Sequence, residues 1–106
     1  MVLIDTAMRD DVTFETMDDV RAEVDRVDTA IISLMARRFH CMDAAARIKS
    51  TREAVRDEDR KAEVLSHVKR LAAETGVPVP LVAAMWEMLV ETSISYELEK
   101  WDQLRG

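Results

Sequence analysis

From Thr16 to Thr51 the chain runs without a glycine or a proline, and its apolar residues recur at helical spacing. Thr16, Asp18 and Asp19 supply cap and first-turn chemistry, so the reading is one helix from about Thr16 or Asp18 to about Thr51. At 1.5 Å per residue, about 35 residues span roughly 50 Å. A compact domain of this chain's length has a radius of gyration of only about 13 Å. The helix is therefore too long for its own chain to cover, and its apolar stripe must be buried against something else. The expected solution is a homodimer with entwined helices.

That stripe contains two residues that do not belong there. Measured from Arg38 at about 100° per residue, Val20, Val24, Val27, Ile31, Leu34, Met42 and Ala45 all lie within roughly 40°. Lys49 lies there as well, three turns further on. A long cationic stem can snorkel from an apolar surface, and a lysine near a helix C-terminus suits the macrodipole. Each explanation serves one residue; together the two cations point to a polar cavity that supplies their counter-charge.

The rest of the chain divides readily. Residues 1–15 lack periodicity and read as a flexible N-terminal arm, leaving 16–106 as the helical domain. The charged segment STREAVRDEDR reads as a connecting loop, and Asp57 is a good N-cap for a second helix over about 58–75. Val64, Leu65, Val68, Leu71 and Ala72 form its expected buried face. Gly76 suits the residue after that helix, and Pro78 and Pro80 mark the stop. A third helix follows over about 80–103. The fold class is all-α, with three helices per chain and a long first one.

The third helix repeats the oddity of the first. Trp86, Val90, Ser93, Trp101 and Leu104 lie within about 40° of Glu97 on a helical wheel, so a carboxyl sits in the middle of an apolar stripe. The plain alternative is a frayed helix end, with Glu97 pairing with Lys100 at the surface. Two cations and a carboxyl on buried stripes favour a shared polar site.

Arg56, Arg60 and Lys61 gather at the start of the second helix, where free backbone N–H groups also favour an anion. Arg21 lies about 100° from the first helix's seam, on its flank, where it either reaches a neighbouring chain's cavity or is simply a surface residue. The net charge of -6 argues against general nucleic-acid or anionic-membrane binding, so an anion must be captured locally. Cys41 is the only cysteine, the two histidines are far apart, and no metal or cofactor motif is present. The inferred ligand is a small, multiply anionic molecule. With no nucleophile evident, the chemistry expected is orientation and electrostatic stabilisation. No apolar run is long enough to cross a bilayer, and MVLIDTAMRDD is not a secretory signal, so a cytoplasmic protein is expected.

The ordered set Arg21 in VRAEVDRVD, Arg38 in ARRF, Lys49 in RIK, the VRDEDR segment, and Ser93 through Glu97 resembles the all-α chorismate mutases. The resemblance covers about residues 17–103. It implies an entwined dimer and rearrangement of chorismate to prephenate without cofactor or metal, a step of the shikimate pathway toward aromatic amino acids. Arg38 and the partner subunit's Arg21 would hold substrate carboxylates, with Arg60 at the mouth of the site. Lys49 would donate to the ether oxygen and a carboxylate, Asp57 would supply cap geometry, and Ser93 a polar contact near a carboxylate. Catalysis would fall chiefly to Lys49, Glu97 and Arg38.

Two positions depart from the commonest bacterial pattern. Glu97 stands where many members have a glutamine that donates to the ether oxygen. An ionised carboxylate only accepts, whereas a protonated one donates. Lys61 stands where many carry a glutamate that contacts the substrate hydroxyl. RRFHCMDAAARIKS and YELEKWDQLRG also resemble isochorismate pyruvate lyases on the same scaffold, while VRDEDR, with Arg60, is mutase-like. The remaining alternatives are a mutase acting on an amino-substituted chorismate and a non-catalytic helical binding or dimerisation module.

Overall fold

The structure, a computed structural model, describes residues 13–106. Three α-helices follow one another: α1 (Met17–Ile48), α2 (Glu58–Thr75) and α3 (Val79–Arg105), with a 3-10 helix at Arg52–Val55 between α1 and α2. No strand occurs among the described residues. Most of the expected N-terminal arm, residues 1–12, lies outside the described residues; Thr13, Phe14 and Glu15 precede α1 without regular structure.

α1 begins with a reciprocal cap. Thr16 Oγ1 accepts from the Asp19 N–H at 3.1 Å, and Asp19 Oδ2 accepts from the N–H groups of Thr16 and Glu15 at 3.2 and 3.1 Å. This is the capping-box arrangement with aspartate in the glutamate position. The hydrogen bonds from Glu15 and then Thr16 lower the Asp19 carboxyl below its ordinary value, because they favour the charged form.

α1 stops at Ile48, about three residues before the expected end near Thr51. The segment read as a plain loop instead winds into the 3-10 helix. Its reason is burial: Val55 is 3% exposed and packs with Val90 and Ile94 of α3 in the small core, flanked by Val64, Trp86, Leu98 and Trp101. Each fully buried valine or isoleucine is worth about 1.5–3 kcal/mol. That is enough to bend a polar loop toward α3.

Asp57 caps α2 as its position suggests, accepting from the Arg60 N–H at 3.0 Å. α2 ends at Gly76, whose φ of 79° is the left-handed conformation that glycine adopts without strain. The Gly76 and Val77 N–H groups both reach the Ala72 carbonyl, closing the helix in a Schellman-type turn. Within α2, Ala72 is buried and Val64, Leu65 and Val68 are half-buried, but Leu71 is exposed, so the buried face is narrower than the sequence suggests. α3 runs two residues past its expected end, to Arg105, for a reason that emerges at the site.

Two compact units are distinguished, divided between His40 and Cys41 inside α1. The core described above belongs to the second. In the first, Val24, Ile31, Ile32 and Met35 are exposed. No helix among the described residues is long and apolar enough to cross a membrane.

Candidate active site

Lys49 is the first residue beyond α1. Its N–H still reaches the Ala45 carbonyl at 2.9 Å, so it leaves the helix in a defined direction. Its ammonium stands 2.8 Å from Glu97 Oε2 and 3.4 Å from the Val55 carbonyl oxygen. Glu97 is 3% exposed in the middle of α3, and the Lys49 side chain 29%. The surface alternative for Glu97 is overturned: it faces Lys49, while Lys100 instead lies 3.8 Å from Asp43 and over the Tyr96 ring.

The short Lys49–Glu97 contact is not a well-aligned hydrogen bond. Oε2 is fully shielded from solvent and has no hydrogen-bond donor of acceptable geometry among the described residues, despite the ammonium 2.8 Å away. Buried polar atoms are nearly always satisfied, and one that is not calls for a specific explanation, a catalytic role or a bound water or ion among them. Here the group is a carboxyl, and the nearest donor approaches it off line.

Ser93, one turn before Glu97, is also buried, and its hydroxyl donates to the Leu89 carbonyl at 2.7 Å. Its proton is thus turned back along α3. Asp57 and Arg60 sit at the start of α2. Arg60 is exposed and pairs with Glu63 at 3.2 Å, one turn along the same helix. Arg21 and Arg38 are carried by α1 in the other unit. Arg21 is exposed, 3.9 Å from Asp18, and Arg38 is half-buried.

Lys61 is drawn into a different structure. Its ammonium donates to Glu87 and Glu91 of α3, each at 2.8 Å. Arg56 grips the same Glu91 through both terminal nitrogens, at 2.7 and 3.1 Å, and reaches Glu58 at 3.0 Å. Those bonds, from Arg56 first and Lys61 second, pull the Glu91 carboxyl down to about 2. Reciprocally, the hydrogen bonds to Glu91 and Glu58 raise Arg56, and those to Glu87 and Glu91 raise Lys61. Lys61 and Arg56 thus tie the start of α2 to α3, and the sequence offered no sign of Glu87 and Glu91 as their partners.

A further pair of residues went unnoticed as site components. Trp101 Nε1 donates to the Lys49 carbonyl at 3.0 Å, and Arg105 donates to the carbonyls of Ala46, Arg47 and Lys49 at 2.9, 3.3 and 2.8 Å. The Arg105 guanidinium also stacks 4.2 Å from the Trp101 ring centroid. The usable signal was the spacing: Glu97, Trp101 and Arg105 stand four residues apart on one face of α3.

Comparison with known proteins bears on what such a site belongs to. Residues 20–98 match the family model described as chorismate mutase type II. The chain belongs to that family. Its relatives include an isochorismate pyruvate lyase from Pseudomonas aeruginosa, 31% identical over 88 residues, which cover 83% of this chain and 87% of the relative. Membership indicates an enzyme built on the chorismate mutase fold, and the three helices without strands agree with it. Among the described residues no group of His, Cys, Asp or Glu side chains is arranged to hold a metal ion.

Proposed function

We propose that the protein is a chorismate mutase, rearranging chorismate to prephenate. The observation that carries this reading is the buried Glu97 carboxyl, with the Lys49 ammonium 2.8 Å away and Oε2 lacking an aligned donor. In the rearrangement the ether C–O bond breaks as a C–C bond forms to the ring, and negative charge develops on the ether oxygen. No nucleophile is needed. The enzyme holds the substrate in a reactive fold and offers donors where charge appears.

Lys49 takes the principal role, with three N–H donors to share between the ether oxygen and a carboxylate. Glu97 adds a second contact to the same oxygen, as a donor when it carries a proton. Arg38 and the partner subunit's Arg21 hold the substrate carboxylates, Arg60 assists at the mouth, Asp57 sets the local cap, and Ser93 lies near a carboxylate. The arrangement requires a homodimer. The exposed Val24, Ile31, Ile32 and Met35 along α1 support it, since a lone chain leaves them in water.

A second reading, isochorismate pyruvate lyase, is favoured by the Pseudomonas aeruginosa relative. It breaks the same ether bond but releases pyruvate and leaves salicylate. Incubating purified protein with chorismate and, separately, isochorismate decides between them. Prephenate from chorismate is the expected result. Salicylate and pyruvate from isochorismate, without prephenate from chorismate, would replace the mutase by the lyase. Turnover of neither would favour a binding module.

A further inference from the structure

The carbonyl end of a helix leaves its last C=O groups without partners inside the helix. At the end of α1 these groups are not left to water. Arg105 reaches back from the last turn of α3 to two of them, those of Ala46 and Arg47, and to the Lys49 carbonyl just beyond, where Trp101 adds a second donor. A carbonyl oxygen has two lone pairs, so the Lys49 oxygen is saturated from one side by α3. Immediately beyond, Arg52 makes a two-pronged bond to Asp102, at 2.9 and 3.2 Å. The final turns of α3 therefore grip the chain from Ala46 to Arg52, on both sides of Lys49.

We infer that Trp101 and Arg105 are positioning residues that fix the Lys49 backbone and thereby aim its ammonium at Glu97. The inference rests on the proposed role of Lys49 as donor to the reacting oxygen. Its geometric logic is simple. Lys49 lies outside α1, so helical hydrogen bonding constrains only its N–H; its carbonyl is oriented entirely by the two α3 donors. Glu97, Trp101 and Arg105 share one face of α3, so a single rigid helix carries the carboxyl and both anchors for the opposing lysine. A flexible four-carbon stem needs such an anchor if its ammonium is to stand at one place. Guanidinium is the suitable group because its planar fork can serve several carbonyls at once, which an ammonium cannot. Packing against Trp101 holds that fork in place.

The test uses Trp101→Phe, which keeps an aromatic ring, though a smaller one, and removes the N–H, together with Arg105→Lys and Arg105→Ala. Two readouts are taken on the full-length chain. The first is the rate of trace acetylation of each lysine by acetic anhydride, resolved by peptide mass spectrometry. Lys49 should react several-fold faster in Arg105→Ala, and less so in Trp101→Phe, while Lys61, Lys69 and Lys100 keep their wild-type rates. The second is steady-state turnover of chorismate: kcat should fall by about tenfold or more, as misplacement of a reacting group does, with KM within about twofold. Arg105→Lys should recover part of both effects. Unchanged Lys49 labelling in folded variants would overturn the inference, as would equal acceleration at all four lysines, which signals general loosening. If the wild type turns over neither chorismate nor isochorismate, the functional reading fails, yet the labelling still decides the clamp. Should Arg105→Ala fail to fold, Trp101→Phe and Arg105→Lys carry the same comparison.

Discussion

Three lysine–glutamate contacts of 2.8 Å join α3 to the chain before it: Lys61 makes two, with Glu87 and Glu91, and Lys49 makes one, with Glu97. Their surroundings could hardly differ more. Glu91 is hydrogen-bonded by Arg56 as well as Lys61, and its acidity records that support. Glu97 is buried, and its Oε2 has no aligned donor among the described residues, although the Lys49 ammonium stands 2.8 Å away. Distance alone would rank the contacts as equals. Saturation and burial separate them: the Glu91 carboxylate is held by two cations near the surface, whereas the Glu97 carboxyl is buried with one oxygen unsatisfied among the described residues. A buried pair is weak evidence for stability, because desolvation offsets much of the Coulombic gain.

Removing the cation from each contact should break the symmetry most visibly. Lys49→Ala is expected to lower kcat/KM for chorismate by about 10²–10³-fold, the scale of deleting one preorganised donor to a developing oxyanion. Lys61→Ala should leave kcat within a few-fold of wild type. Comparable losses in both variants, measured by prephenate formation, would erase the distinction between the two lysines.

A smaller effect concerns who completes the site. If the partner's Arg21 serves the pocket that contains Lys49, mixing inactive Arg21→Ala and Lys49→Ala chains after subunit exchange should restore activity. With random pairing, half the dimers are mixed and each has one intact site, so about one quarter of the wild-type sites return. Recovery no greater than the sum of the two variants, with exchange verified by mass, would remove Arg21 from the shared site.

The smallest effect belongs to the saturated cluster. Glu91 has a folded value of about 2, below the ordinary carboxylate value of 4.5. Its contribution to stability is therefore full above the ordinary value and is lost as pH falls from about 4.5 toward about 2. Glu91→Gln should lower Tm near neutral pH by about 5 °C or less, as befits solvent-exposed ion pairs in a small domain. The difference from wild type should shrink on acidification. A constant gap across that range, followed by thermal melts, would mean that the Glu91 charge contributes nothing.

Much of this arrangement was legible in the chain itself. The absence of glycine and proline through Thr51 announced a long first helix, and Asp57, Gly76 and the two prolines marked α2 correctly because caps and stops are local chemistry. Glu97 stood out for the same reason: period and polarity disagreed. What escaped notice depended on tertiary contacts. α1 ends at Ile48 because Val55 is drawn to α3, and no local signal near Thr51 encodes that pull. The reach of α3 to Arg105 follows from carbonyls supplied by another helix. Glu87 and Glu91 carry no local sign of their role, because their partners Lys61 and Arg56 reach them only through the packing of α2 and its N-terminal approach against α3.

The account turns on Glu97 as a donor to the reacting oxygen, and kcat/KM for chorismate in Glu97→Gln and Glu97→Ala tests it most directly. Glu97→Gln keeps a donor and should stay within about tenfold of wild type, whereas Glu97→Ala removes it and should lose about 10²–10³-fold. Equal losses in the two folded variants, or wild-type turnover by Glu97→Ala, would show that Glu97 does not donate to the reacting oxygen.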